Sequence, residues 1–101
     1  MTDSYRIKIT PTASGELEAI FDYIARDSPQ NAARFISRIL DAIDSLDRMP
    51  HRYRLARSPD PALDQVRSMP LRPYLIRYIV DDSNHSLLIV SIRHGARRPD
   101  P

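Results

Sequence analysis

Apolar and polar side chains alternate along two stretches near the C-terminus. Between Pro73 and Asp81, the residues Tyr74, Ile76, Tyr78 and Val80 fall on one side of an extended chain and Leu75, Arg77 and Ile79 on the other, because strand side chains alternate with period two. From Leu87 to His94 the same rule sorts Leu88, Val90 and Ile92 into one row, and Leu87, Ile89, Ser91 and Arg93 into the opposite row. The polar Asp81-Asp82-Ser83-Asn84 run between them is turn chemistry and predicts a β-hairpin. Near the start, Tyr5-Arg6-Ile7-Lys8-Ile9 alternates strictly, predicting a strand with Tyr5, Ile7 and Ile9 inward and Arg6 and Lys8 outward. Val66 to Pro70 predicts a further strand, with Pro70 at its end or at a bulge because proline cannot donate to a ladder.

Between the first strand and the last three the period changes to that of a helix. Thr10-Pro11 supplies a capping hydroxyl and a proline at the first helical position, where its missing N–H is no loss. Ala13, Leu17, Ile20, Phe21 and Ile24 then recur at three- and four-residue steps, predicting one buried stripe. Gly15 lies against that pattern, at a cost of about 1 kcal/mol relative to alanine. Ser28-Pro29 repeats the start signal so soon that an antiparallel helical hairpin follows. Ala32, Phe35, Ile36, Ile39, Ile43 and Leu46 carry the second stripe toward Met49-Pro50, roughly 20 residues or about 30 Å of rod at ~1.5 Å per residue. From His51 to Asp64 no period holds, and Pro50, Pro59 and Pro61 discourage regular structure, so a surface loop is expected.

The predicted order is β-α-α-β-β-β: a two-layer α+β domain spanning residues 1–101, its helical hairpin packed on one face of a small antiparallel sheet. If the helices cover Ile7, Ile9, Tyr78, Leu88, Val90 and Ile92, the opposite face carries Arg6, Lys8, Arg77 and Arg93, with Arg67 beside them. Leu75, Ile79, Leu87 and Ile89 would interleave with those cations. A charged solvent face is one reading of such a surface, and a docking site for a partner is the other; apolar rows mixed with arginine favour docking.

Composition narrows the chemistry. The chain has 101 residues, 42% apolar and 28% charged, enough for one modest core. It holds no cysteine, which removes disulfides, thiolate metal sites and cysteine nucleophiles. No apolar run approaches the ~20 residues of a membrane helix and no secretory layout opens the chain, so a cytoplasmic location is expected. Net charge is only +2, but 14 of the 15 basic residues are arginine, suited to bidentate contacts with carboxylate or phosphate. Paired carboxylates, metal-ligand spacing, a phosphate loop and a nucleophile triad are all missing from the pattern, and no metal or cofactor is implied.

A strand, a helical hairpin opening after Thr10-Pro11, the strand Tyr74-Leu75-Ile76-Arg77-Tyr78, and a last strand ending His94-Gly95-Ala96-Arg97 together resemble the RelE/ParE superfamily of toxins from bacterial type II toxin–antitoxin systems. The resemblance covers essentially the whole chain. It implies a small cytoplasmic toxin neutralised by a cognate antitoxin whose flexible C-terminal segment wraps the hairpin and the sheet. On this chain the antitoxin surface is expected to include Arg6, Lys8, Arg67, Leu75, Arg77 and Ile79.

The two branches of the superfamily differ in activity. RelE-like members are implied to cut messenger RNA on the ribosome, using basic residues at the scissile phosphate. There the strand usually reads Tyr-Arg-Leu-Val-Tyr, and Leu75 stands here at the catalytic arginine's position; the tyrosine or histidine-tyrosine near that branch's C-terminus is also absent. A ribonuclease would have to rely on Arg77, Arg93 and Arg97. ParE-like members, which the chain resembles more closely, are implied to poison DNA gyrase by binding, with no catalytic set; Arg93, Arg97 and Arg98 are then the expected target contacts, and a non-toxic relic that only binds antitoxin is the third reading. Among other candidates, His94 is expected to be structural and Tyr78 to lie in the core, while His51 and His85 are expected at the surface. Gly95 is expected to permit a backbone turn. Arg52, Arg54 and Arg57 with Tyr53 form either a solvated loop or a nucleic-acid contact.

Overall fold

The computed structural model of the chain describes residues 4–55, 61 and 65–95. The element order is β1 (Arg6–Ile9), α1 (Pro11–Ala25), α2 (Pro29–Asp44), a 3₁₀ turn (Ser45–Asp47), β2 (Val66–Leu71), β3 (Tyr74–Asp81), a 3₁₀ turn (Asp82–Asn84) and β4 (Ser86–His94). Both helix starts are built as their sequences dictate. Thr10 Oγ1 accepts from the Ala13 N–H at 3.1 Å, and Ser28 Oγ accepts from the Asn31 N–H at 3.2 Å. In the β3–β4 turn the Asp81 carboxylate accepts from Asn84 Nδ2 at 2.7 Å, and His85 takes a left-handed φ of 48° before β4 begins.

The sheet order is β1-β4-β3-β2. The last three strands form the expected antiparallel meander, whereas β1 pairs with β4 in parallel, so the sheet is mixed. The path of the helices accounts for this. Phe35, near the start of α2, packs on Tyr74 at one end of the sheet, with ring centroids 5.6 Å apart. Past its end, the Asp47 carbonyl accepts from the Tyr5 N–H at 2.7 Å at the other end. Thus α2 returns the chain to the end where β1 entered, and β2 sets out in the direction of β1.

Both helices lie on one face. Ala13, Ile20, Ile39, Ile43 and Leu46 pack there against Met69, Ile76, Tyr78, Leu87, Ile89 and Ile92, all 6% exposed or less. Phe21, expected in the buried stripe of α1, is instead 38% exposed, because the stripe through Ala13, Leu17, Ile20 and Ile24 already fills the interface and Phe21 lies one residue off it. Ile9 shares the covered face but is 38% exposed at the sheet edge.

The largest departure from strict alternation is in β4. Arg77 stands opposite Ser91 but Tyr78 opposite Ile89, so Val90 is an extra residue, a β-bulge. The bulge switches parity: Ile92 faces the helices as expected, but before Val90 the inward residues are Leu87 and Ile89, and Leu88 turns to the open face. The expected placement of Leu88 and Val90 in the core is thereby corrected.

Candidate functional site

Cross-strand register assembles the open face row by row. At the end where β4 finishes, Arg93 stands opposite Leu75, and Leu75 opposite Pro70. The next row is Ser91, Arg77 and Ser68. Below it Lys8, Leu88, Ile79 and Val66 make an apolar band with one cationic end, and Arg6 follows beside Ser86. Arg6, Lys8, Leu75, Arg77, Ile79 and Arg93 therefore share one side of the sheet, away from both helices. Arg67 does not join them. It stands opposite Tyr78 on the covered side, where its Nη1 donates to the Tyr53 carbonyl at 2.7 Å. Strand β2 runs in unbroken register against β3, so Val66, opposite Ile79, and Met69, opposite Ile76, fall on opposite sides of the sheet although both are buried.

Arg67 and Tyr78 instead anchor the chain that follows α2. Tyr78 is fully buried and its hydroxyl donates to the Pro50 carbonyl at 2.8 Å; burial pushes the phenol above its ordinary pKa. Leu55 makes an isolated antiparallel bridge to Arg67, and the Ser68 N–H donates to the Arg54 carbonyl, so part of the expected loop is tied to the edge of β2. Arg52 lies over the Tyr53 ring, 5.5 Å from its centroid; Arg57 lies outside the described residues. His51 and His85 are at the surface as expected, and both meet Tyr5: His85 stacks on its ring at 4.8 Å, while His51 and the Tyr5 hydroxyl share the Asp82 carboxylate. The Tyr5 bond first, and His51 after it, hold the Asp82 carboxyl below its usual pKa.

The end of β4 is built differently from the rest of its edge. Pairing with β1 stops at Ile89, and α1 takes over alongside. Glu16 of α1 then acts in place of a strand: Oε1 accepts from the Ile92 N–H at 2.8 Å, and Oε2 accepts from Arg93 Nε at 3.0 Å. One residue on, His94 falls on the covered side and meets Tyr74 edge-on at 5.4 Å, in keeping with a structural role. Gly95 closes the strand with its N–H donating to the Pro73 carbonyl at 2.7 Å. Its φ is not positive, so the demand on this position is space: a Cβ would lie 3.3 Å from both Leu75 Cγ and the Pro73 oxygen. Arg97 and Arg98 lie outside the described residues.

A groove of about 770 Å³ opens at this same end, on the helix side, between the tip of the helical hairpin and the β2–β3 turn. Tyr23, Phe35, Tyr74 and His94 supply aromatic walls, and Arg34 and Arg38 the charge, with Arg38 over the Phe35 ring at 5.5 Å. Tyr23 is 68% exposed there. Sequence reasoning missed Tyr23, Arg34 and Arg38. The signal available was an aromatic on the polar side of α1 and an arginine pair at i, i+4 around Phe35, but helical solvent faces often carry both.

Chemically these surfaces are suited to holding a partner. No group of three or more metal-ligating side chains occurs among the described residues, and no helix among them is long and apolar enough to cross a membrane. The family description "ParE toxin of type II toxin-antitoxin system, parDE" matches residues 7–99. Toxin RelE2 of Caulobacter vibrioides is 44% identical over 85 residues, covering 84% of this chain and 89% of that one. Among solved structures, the chromosomal ParDE system from P. aeruginosa superposes with a TM-score of 0.73 at 22% identity, covering 92% of this chain and 98% of that one. The toxin–antitoxin complex RelBE2 from Mycobacterium tuberculosis follows at 0.64 and 23%, covering 90% and 98%. At those identities the two structures speak for the shared fold.

Proposed function

Since this chain belongs to the ParE toxin family of type II toxin–antitoxin systems, we propose that it is a ParE-like toxin that inhibits DNA gyrase by binding and is neutralised by a cognate antitoxin. The observation that carries binding over cutting is the state of the arginine at the end of β4. Cleaving a phosphodiester needs an acid–base pair or concentrated positive charge at one phosphorus. Arg93 is instead paired with Glu16, both of whose carboxylate oxygens are occupied, and its side chain is 67% exposed, where water screens its field. Leu75 stands beside it where the cutting branch would place arginine, and His94 is turned to the other side against Tyr74. Arg93, with Arg97 and Arg98 beyond it, serves in this reading as a contact to the target.

The antitoxin covers two surfaces in this reading. One is the open face through Arg6, Lys8, Leu75, Arg77 and Ile79, with Leu88 added by the bulge and Arg67 removed by its tie to Tyr53. The other is the aromatic groove with Arg34 and Arg38. Both mix apolar area with guanidinium groups, which suits an acidic amphipathic segment.

The name of the Caulobacter relative favours a second reading, a RelE-like ribosome-dependent mRNA endonuclease acting through Arg77, Arg93 and Arg97. Purified protein added to a gyrase supercoiling reaction and to translating ribosomes separates the two. Inhibited supercoiling with intact message is expected; message cut within codons would reverse the assignment. Arg97→Ala is expected to weaken growth arrest more than antitoxin binding, and equal loss of both would make Arg97 a residue of the fold.

A further inference from the structure

Arg93 is the one described residue of the proposed target-contacting set, and an exposed arginine on a strand end ordinarily samples many rotamers before it binds. Here it does not hang free. Glu16 is itself held, because its Oε1 accepts the Ile92 N–H that β1 leaves unpaired, and its side chain is only 24% exposed. The second oxygen takes the Arg93 Nε–H, so the guanidinium is fixed to the backbone of its own strand through a carboxylate on α1. That bond uses Nε alone. The two terminal NH₂ groups, the end of the fork that grips an oxyanion with two parallel bonds, are left for another partner.

Resting on the reading of Arg93 as a target contact, we propose that Glu16 is its positioning residue: it orders the guanidinium so that its terminal nitrogens are ready to take a carboxylate or phosphate of the target. Ordering one long side chain beforehand removes that cost from binding.

Glu16→Gln is the informative change. A glutamine has one carbonyl oxygen for two donors, so in either orientation its NH₂ confronts an N–H, that of Ile92 or that of Arg93. Four proteins are compared: wild type, Glu16→Gln, Arg93→Ala and the double variant. Each is measured for inhibition of gyrase supercoiling, for affinity to gyrase with and without DNA, for antitoxin affinity and for thermal melting. Glu16→Gln is expected to weaken inhibition roughly two- to tenfold, the factor for freezing one long side chain. It should add nothing to Arg93→Ala, with melting and antitoxin affinity close to wild type. An Arg93 effect seen only with DNA present identifies the oxyanion as phosphate; one seen without DNA identifies a protein carboxylate.

Two results overturn the positioning role: Glu16→Gln as potent as wild type while Arg93→Ala is impaired, or losses that add in the double variant. Full potency of Arg93→Ala would instead sink the prior reading of Arg93 as a target contact. If wild type cuts ribosome-bound message rather than inhibiting gyrase, the gyrase reading falls, and the same four proteins scored on cleavage decide the role of Glu16 by the same non-additivity.

Discussion

Leu87 and Leu88 are adjacent, chemically identical and opposite in environment, which makes them a direct measure of the β4 bulge. Leu87 is 1% exposed and packs under the helices, while Leu88 is 37% exposed on the open face. Truncating a fully buried leucine to alanine removes its transfer free energy and leaves a cavity, about 2–5 kcal/mol in all. Truncating Leu88 removes contacts on one side only and should cost less than about 1 kcal/mol. The gap is a sizeable share of a small domain's stability of about 5–15 kcal/mol. In urea unfolding it separates the two midpoints by on the order of 1 M, with similar slopes. Ile89→Ala should fall with Leu87→Ala, since Ile89 is 0% exposed. Equal midpoints for the two leucine variants, or an earlier transition for Leu88→Ala, would mean that β4 alternates strictly and Val90 is not an extra residue.

Tyr78→Phe deletes the bond to Pro50 and strands a buried carbonyl; a loss of about 1–3 kcal/mol in chemical denaturation is expected, and a neutral result would show that Pro50 is not anchored there. Asp82→Ala tests the link between β1, the β3–β4 turn and His51. Because the folded carboxyl sits below its usual 3.8, its contribution is present above that pH and is lost as the pH falls through the lowered folded value. Wild type and variant should therefore differ in melting temperature at pH 7 and converge progressively as the pH falls below 3.8 through the lowered folded value; a gap that persists in strong acid would assign the effect to packing. Arg77→Glu on the open face should weaken antitoxin affinity at least tenfold with unchanged melting, measured by titration calorimetry, if that face takes an acidic segment.

Local chemistry was legible wherever it acts within one segment. Thr10-Pro11 and Ser28-Pro29 start helices with their hydroxyls on the expected N–H groups, and the Asp81–Asn84 run makes its turn. The placement of Arg77 and Arg93 on one open face also followed from alternation alone, because both lie on the same side of the bulge in register. What could not be read is set by pairing between segments. A bulge at Val90 is invisible in a run of six residues, Leu87 to Ile92, of which five are aliphatic, since either parity gives an apolar row. Nothing within Val66 to Met69 fixes the side Arg67 takes, since the two apolar residues lie three apart and so on opposite faces; only its position opposite Tyr78 and beside Tyr53 shows why it turns inward. Glu16 carried no signal, because its partners are 76 and 77 residues away.

The arrangement at the end of β4 bears on how one antitoxin could silence the protein. Consecutive strand residues point to opposite faces, so Arg93 looks onto the open side while His94 looks into the groove. The two surfaces proposed for the antitoxin therefore meet at a single strand end, separated by the backbone that turns at Gly95. A segment leaving the groove past Tyr74 and continuing onto Leu75 and Arg77 would run beside Arg93, which stands opposite Leu75. Neutralisation then needs no change in the toxin's shape, since occupying both faces covers the contact to the target. A truncated antitoxin peptide that fills only the groove is expected to bind, to protect Tyr23 and Tyr74 from chemical modification, and to leave gyrase inhibition intact. Inhibition abolished by that short peptide would instead place the target contact in the groove itself.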